Sequence, residues 1–334
     1  MHKKFVNHCT IDLTIIPDGP ILIKSGKEGA DPTNPDMAFV ETFHQGGLSI
    51  YLPGSSLKGA IRAHAERIVR TVGSEERLSG DDQQLWANNP LKKDSYLDNF
   101  KEQNKSDPNI GAKLYKLSSF TDQIFGNTSI ASRIRIEDAH PVDIKQLRLE
   151  ERNGVAIDRV FGSTIPGALF NYQVCTAGEF KTKIHLKNFT LAQLGLIGLV
   201  LRDLNDGWFG LGFAKSRGLG TVQVKYNSAV VQYPGCILDD ENKKIRQLGN
   251  NKEWDWTFLL GAGEFLSYTS EKLQLEQNYG FLTFDRQDSP VRAEPMDLGF
   301  GVQMKWEGDT EAGVKDLFMR AVRSWGEVLG CATT

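Results

Sequence analysis

Cysteine is scarce in this chain of 334 residues, and long apolar runs are missing. The four cysteines lie far apart and form no C-x-x-C pair, which argues against a disulfide framework and against a zinc site. The longest apolar stretch, Leu191–Leu201, is interrupted by Gln193 and is too short to span a bilayer. The first residues are too polar for a signal peptide. We therefore expect a soluble cytoplasmic protein without a membrane partner.

An excess of positive charge is also missing, because the net charge is −3. A free-standing nucleic-acid binder is usually basic overall, but binding depends on where the charge lies. One segment, Pro53–Arg70, sets four cations against the single Glu66: Lys58, Arg62, Arg67 and Arg70. The motifs G-x-S-x-G and H-E-x-x-H are absent as well, so a serine hydrolase or a zinc enzyme has no support.

Glycine is abundant, at 33 residues, which predicts many turns and argues against a helical bundle. Alternation in FVNHCTIDLTII predicts a first strand, and the apolar spacing after Pro53 predicts a helix with Ser55 or Ser56 as its N-cap. A second helix is predicted over Thr190–Leu204. With the strands between and after the helices, this order is typical of a ferredoxin-like α+β fold.

The domain organisation follows from these elements. We expect a ferredoxin-like core over residues 1–230, with an insertion at about 71–117 and a projecting β-hairpin at about 152–174. Residues 231–334 have a different sequence pattern, with short strand-like segments, charged linkers and a final amphipathic helix. They form either a C-terminal extension or a small second domain.

The segment LPGSSLKGAIR, at residues 52–62, places small residues at a helix start. The free N–H groups there, with Lys58 and Arg62 one turn apart, are suited to bind phosphate. It is not a Walker A loop, because G-x-x-x-x-G-K is absent. Two other interpretations remain open: an ordinary capped amphipathic helix, and a site for a small anionic ligand at Ser55–Gly59.

A glycine-rich loop, GWFGLGFAKSRGLGTV, follows the second predicted helix. Its glycines, Gly218 among them, allow the backbone to approach a ligand closely. Lys215 and Arg217 lie among aromatic residues, and cations with aromatic rings suit a single-stranded nucleic acid. The alternative is a bulged, twisted sheet edge.

Four segments together resemble the RAMP superfamily of CRISPR-associated proteins. LPGSSLKGAIR resembles the I-P-G-S-S-L-K-G-x-x-R motif of type III RAMP proteins, and IFGN with RIRIEDAHP resembles the segment downstream of it. GVAIDRVFGSTIPGALFNYQV resembles the part of the family that contains the β-hairpin "thumb", and SRGLG resembles its glycine-rich loop. The segments occur in family order over about residues 1–226. The 114 residues after Gly220 favour the backbone (Cas-seven-type, Csm/Cmr-like) branch over the processing endonucleases.

The resemblance implies a crRNA-binding backbone subunit of a type III effector complex in antiviral defence. Its partners would be crRNA, target RNA, other RAMP subunits and the large subunit. We expect seven residues to follow the guide backbone: Ser55, Ser56, Lys58, Arg62, Lys215, Arg217 and Gly218. On the hairpin, Ile157 and Phe161 would wedge between bases and Arg159 would contact phosphate. The alternative is that Ile157 and Phe161 pack against a neighbouring subunit.

The resemblance also implies cleavage of target RNA by an aspartate in the loop before the P-G-S-S-L-K-G motif, with Mg²⁺ or Mn²⁺. Asp36 and Asp31 are the candidates, and Asp36 also becomes the candidate metal ligand. A carboxylate there would accept the 2′-OH proton or hold a hydrated metal ion. Two alternatives remain: both aspartates are ordinary turn residues, and the chain is a non-catalytic RNA-binding scaffold.

Overall fold

The structure, a computed structural model, describes residues 4–26, 35–45, 47–77, 85–89, 91, 97–107, 109–266, 279–281 and 284–328. The helices are α1 Gly54–Val72, α2 Asp98–Gln103, α3 Ile110–Leu117, α4 Phe120–Phe125, α5 Leu191–Asn205, α6 Ala262–Leu266 and α7 Val314–Val328. The longer strands are β1 His8–Pro17, β6 Arg148–Ile157, β7 Thr164–Ala177, β8 Phe180–Lys187, β9 Val222–Tyr233 and β16 Val302–Glu307. The shorter strands are β2 Glu41–His44, β3 Gly47–Ile50, β4 Ile134–Ile136, β5 His140–Pro141, β10 Cys236–Asp239, β11 Lys244–Gln247, β12 Glu253–Asp255, β13 Phe258–Leu260, β14 Arg286–Asp288 and β15 Glu294–Pro295.

A seven-stranded antiparallel sheet forms the centre of the fold. Its order is β15-β16-β9-β1-β8-β4, and β5 pairs with the other end of β8. Strand β1 lies between β8 and β9, and its alternating pattern buries Cys9, Ile11, Leu13 and Ile15 on one face. A sheet of antiparallel strands with helices confirms the α+β class.

Helices α1 and α5 cover the buried face of the sheet, and α7 packs on α5. Thr190 caps α5 through a reciprocal capping box with Gln193, which explains why the helix begins at Leu191. Glycines on α5 allow the close approach of α7. A Cβ atom at Gly195 would lie 2.6 Å from the Ala321 carbonyl oxygen, so a larger residue would push the two helices apart.

The C-terminal third shares this sheet. Strand β9 runs without a break through residue 230, and β16 pairs with it from Val302 onward. Met304 and Trp306 of β16 are fully buried in the same core as β1. Residues beyond 230 therefore complete the central sheet, and they also form two small sheets, β10-β11-β12 and β13-β14.

Strands β6 and β7 pair along their length and form a hairpin over residues 148–177, and single bridges connect the base of β7 to Ile21 and Met37. It is longer than the hairpin predicted at about 152–174. Beyond its base most side chains are exposed or half-buried. The 158–163 turn joins the strands, and Asp158 accepts hydrogen bonds there from the backbone N–H groups of Val160 and Gly162.

Both edges of the central sheet end in very short strands. On one edge β4 has three residues and β5 has two, and on the other edge β15 has two. A proline, Pro141 or Pro295, lies in the terminal strand on each side. Among the helices that the structure describes, none is long and apolar enough to cross a membrane.

Candidate nucleic-acid interface

Asp36 lies at the base of the β6–β7 hairpin. Its backbone N–H donates to the Asn171 side-chain oxygen at 2.7 Å, and its carboxylate accepts from the Asn171 backbone N–H at 2.9 Å. The neighbouring Met37 lies alongside β7. Its N–H donates to the Asn171 carbonyl at 3.2 Å, and its carbonyl accepts from the Gln173 N–H at 3.0 Å. Asp36 and Met37 are thus fixed to the hairpin. Asp36 is exposed, and one of its carboxylate oxygens has no partner among the described residues. Asp31 lies outside the described residues.

The hairpin turn presents apolar side chains to solvent. Val160 and Phe161 are each 82% exposed, and Ile157 is 61% exposed. Arg159 is exposed beside them and has no carboxylate partner in the described part of the chain. An apolar, basic tip on a two-stranded arm is costly to expose, which indicates a binding role for this tip.

The glycine-rich loop is fitted closely to the segment after β1. The N–H of Phe213 donates to the Leu22 carbonyl at 2.7 Å, and the N–H of Gly220 donates to the Pro20 carbonyl at 2.8 Å. Gly212 and Gly220 have φ values of +78° and +92°, and a Cβ atom at either would lie 2.2 Å from a backbone carbonyl oxygen. Only glycine fits at these two positions.

The loop brings Arg217 to the hairpin. The Arg217 guanidinium lies 5.2 Å from the Phe213 ring and 6.0 Å from the Phe170 ring on β7. Phe170 precedes Asn171, so consecutive residues of β7 contact the basic loop and the Asp36 loop. Gly218 is exposed, with open space around its Cα atom. The glycine-rich loop and the segment that carries Asp36 thus meet at the base of the hairpin.

The start of α1 differs from the sequence prediction. The helix begins at Gly54, so Ser55 and Ser56 lie inside the first turn and the N-cap position is Pro53. The prediction of a serine N-cap was wrong, because Asp138 caps the helix from a distance by accepting a 2.7 Å bond from the Gly54 N–H. Ser55 and Ser56 are exposed, and their backbone N–H groups have no acceptor among the residues described.

The charged groups of Lys58 and Arg62 have hydrogen-bond partners within the chain. The Lys58 ammonium donates to Ser132 Oγ at 2.8 Å, and burial, followed by the charge of Arg62, lowers the pKa of this lysine. Arg62 binds Glu66 at 2.9 Å, Asp122 at 2.7 Å and the Gly126 carbonyl at 3.0 Å. These two predicted RNA contacts therefore connect α1 to the segment that contains α4 and β4.

The free cations lie on another face of α1. Ala60, Ala63 and Arg67 form one wall of an open groove of about 330 Å³, and the glycine-rich loop forms the other wall with Trp208 and Lys215. The residues that line this groove include no carboxylate. Neither Arg67 nor Lys215 has a carboxylate partner in the ranges that the structure describes. In a chain of net charge −3, this is a local basic site.

Trp208 is held in place although it is 70% exposed. Its backbone N–H donates to the Asp203 carbonyl at 2.9 Å, and the Arg202 guanidinium lies 5.9 Å from its ring. Behind it, His64 of α1 binds the Asp203 carboxylate at 2.8 Å, and its ring stacks on Phe209 at 4.3 Å. This buried pair joins α1, α5 and the loop, so the groove is preformed.

A family model describes most of these segments. The model of the RAMP superfamily matches residues 15–223, more than half of the chain. The chain belongs to the RAMP superfamily. RAMP proteins generally bind RNA and work in multi-subunit complexes, and this membership suggests a CRISPR-associated RNA-binding module. No curated protein is significantly similar to this RAMP chain.

Three residues of this candidate interface were not among the predicted RNA contacts: Arg67, Trp208 and Asn171. The helical spacing that buries Leu57, Ile61 and Ala65 also turns Arg67 outward. The exposure of Arg67 could therefore have been predicted from the apolar periodicity of α1. Nothing in the sequence indicates the pairing of Asn171 with Asp36, since 135 positions separate them.

The described residues contain no group of three His, Cys, Asp or Glu side chains that could hold a metal ion. Mg²⁺ is often bound by one or two carboxylates with substrate phosphates rather than by an all-protein cage. The free oxygen of Asp36 fits this second arrangement.

Proposed function

We propose that this chain is a crRNA-binding backbone subunit of a type III CRISPR effector complex and that it cleaves target RNA through Asp36. The observation that carries the proposal is the position of Asp36 at the base of an exposed hairpin, next to a basic loop. The sheet order β9-β1-β8-β4 with α1 and α5 on one face supports an RNA-recognition-like, ferredoxin-like core.

The guide RNA would lie along the exposed side of α1 and the glycine-rich loop. The free N–H groups of Ser55 and Ser56 lie at one end of α1, and Arg67 is about 16 Å further along the helix. Lys215 and Arg217 face this path from the loop, and Gly218 allows the backbone of the loop to approach. Lys58 and Arg62 are left out, because their charges are already paired or buried.

The hairpin would act as the thumb of this subunit. Ile157 and Phe161 are large and exposed, which suits a wedge between base pairs of a guide–target duplex. Arg159 beside them would bind a phosphate. An unstacked nucleotide at the wedge would leave its 2′-OH free to align with the adjacent phosphate.

Asp36 would then act at the kink. Its free carboxylate oxygen can accept the 2′-OH proton or orient the ribose, while the contact with Asn171 holds it in place. Asp36 would also hold the divalent ion, Mg²⁺ or Mn²⁺, which would stabilise the charge on the phosphate. In-line geometry set by the wedge would supply much of the acceleration.

One observation favours a second candidate function, a non-catalytic RNA-binding scaffold. The reciprocal bonds between Asp36 and Asn171 already give Asp36 a structural task, since they fix the backbone at Asp36 to the hairpin.

The deciding experiment is cleavage of labelled, guide-complementary RNA by the assembled complex, with Mg²⁺ or with EDTA. Asp36→Ala and Asp36→Asn are compared with Asp31→Ala and with wild type. Asn can accept the same bond from the Asn171 N–H but is a poor base. A slicer predicts that both Asp36 variants lose regularly spaced cuts while guide binding persists. Full cleavage by all variants would establish the scaffold instead.

A further inference from the structure

On the side opposite α1 and α5, strands β8 and β9 of the central sheet present exposed and half-buried side chains among the described residues. Alternate residues of β8 and β9 point to this side, as the alternation of buried and exposed side chains in both strands shows. We infer that this open sheet face is a second RNA-binding surface, which takes an unpaired segment of RNA. The inference rests on the proposed function as an RNA binder, but it concerns a surface that the groove and the hairpin do not use.

A run of three rings crosses this face near one end of β1. The ring centroids of Phe5 and His8 are 5.7 Å apart, and those of His8 and His185 on β8 are 5.5 Å apart. Phe5, at the outer end, is 51% exposed. His185 is fixed by Glu137 at 2.9 Å and by Thr10 at 3.3 Å. Two of the rings lie on the adjacent strands β1 and β8 and Phe5 lies just before β1, so that together they form a platform on which bases can stack.

Cations lie one strand away from these rings. The register places Lys187 opposite His8 and Arg135 opposite His185, and paired strands are about 4.8 Å apart. A base stacked on the rings would therefore have positive charge beside its phosphates. Burial lowers the pKa of His8; a hydrogen bond with Gln232 opposes this shift, and the charges of His185, Arg135 and Lys187 add to it. A neutral His8 ring offers a stacking surface without repelling these cations.

The lysines of this face are free to bind an anion. Three exposed lysines have no carboxylate partner within the described ranges: Lys183, Lys187 and Lys225. The nearby carboxylates are already used. Asp12 accepts from Asn227 at 2.7 Å and lies 3.4 Å from Lys181, while Glu137 binds His185 and Arg135.

The combination favours RNA over an acidic protein surface. The side chains of an acidic peptide would pair with the lysines, but they have no planar groups that could stack on the three rings. A single-stranded RNA uses both, because its bases stack while its phosphates pair with lysine and arginine.

The test uses the full chain and a fluorescein-labelled single-stranded RNA of about 20 nucleotides, with affinity measured by fluorescence anisotropy over a salt series. Lys183→Glu/Lys187→Glu removes two cations of the face, and Phe5→Ala removes the exposed ring. The matched control is Lys101→Glu/Lys105→Glu, the same charge change at exposed lysines on and just after α2. Arg67→Glu/Lys215→Glu disables the proposed groove in a separate arm.

We expect the Lys183/Lys187 variant to bind about 10-fold more weakly and to lower the slope of log affinity against log salt by about 1.4. We expect a loss of about 5-fold or more for Phe5→Ala, and no loss beyond about 2-fold for the control. With RNA that carries 4-thiouridine, ultraviolet cross-links should reach the peptide that contains Phe5 and His8.

Other outcomes overturn the inference. If the Lys183/Lys187 variant matches its control while the Arg67/Lys215 variant loses affinity, the open sheet face is not an RNA site and the proposed function stands. If polyglutamate displaces the RNA from the wild type, and Phe5→Ala has no effect, the face takes an acidic protein instead. If the wild-type chain binds no RNA, the proposed function falls as well.

Discussion

Arg62→Met separates a structural role of Arg62 from a role in RNA binding. The Arg62 guanidinium makes three bonds, to Glu66, Asp122 and the Gly126 carbonyl. The Asp122 side chain is only 1% exposed and that of Glu66 is 7% exposed. Methionine keeps most of the volume of the side chain but removes the charge, so both carboxylates lose this partner in a site with little water.

The magnitude follows from this geometry. Removing one partner of a buried ion pair costs about 3–5 kcal/mol, because the other charge is left uncompensated. Two features reduce the cost here: Arg70 still binds Glu66 at 3.2 Å, and the Arg62 side chain is 30% exposed, so water can replace part of the contact. We therefore expect a loss of about 3 kcal/mol in the free energy of unfolding. At about 2 °C per kcal/mol for a chain of this size, Tm should fall by about 6 °C.

Urea and thermal unfolding measure this loss, and Arg67→Met is the matched control. Arg67 lies five positions further along α1, is exposed and has no acidic partner in the described part of the chain. Its substitution should change stability by less than about 0.5 kcal/mol while weakening RNA binding. A wild-type Tm for Arg62→Met together with reduced RNA affinity would refute the reasoning and return Arg62 to the RNA contacts.

Three further predictions concern the loop, a buried acid and Asp36. Gly220→Ala should destabilise the chain by about 2 kcal/mol or more in urea unfolding, whereas Gly218→Ala, also at positive φ but in open space, should cost about 1 kcal/mol. Burial raises the pKa of Asp285 to about 7, so its contribution to stability should be lost as pH rises from about 4 to about 7. Asp285→Asn should remove this pH dependence of Tm, and an unchanged dependence would contradict the assignment. Asn171→Ala should slow cleavage of target RNA about 10-fold or more with little change in affinity, since Asp36 loses a bond that orients it.

The α+β class and the main helices could be predicted from the sequence. Alternation fixes which side of β1 is buried, and the Thr190–Gln193 capping box marks the start of α5 within one residue. These signals are local, because periodicity and capping involve residues that are close in the chain.

The use of individual side chains could not be predicted in the same way. Lys58 and Arg62 look like phosphate ligands in the sequence, yet their partners are Ser132 and Asp122, 74 and 60 positions away. The start of α1 was missed for the same reason, since its cap is the distant Asp138. A basic residue is a ligand candidate only if the fold leaves its charge unpaired, and tertiary contacts decide this.

The two edges of the central sheet limit how this chain can associate with others. Each edge includes a strand of two residues that contains a proline, and the only other edge strand described on those sides, β4, has three residues; proline has no N–H to offer to another strand. Strands this short offer few backbone groups, so these edges are poorly suited to joining the sheets of two copies into one continuous ribbon. In a filament along a guide RNA, neighbouring subunits would have to meet through side chains and loops, so that the RNA rather than a shared backbone ladder would set the spacing between them.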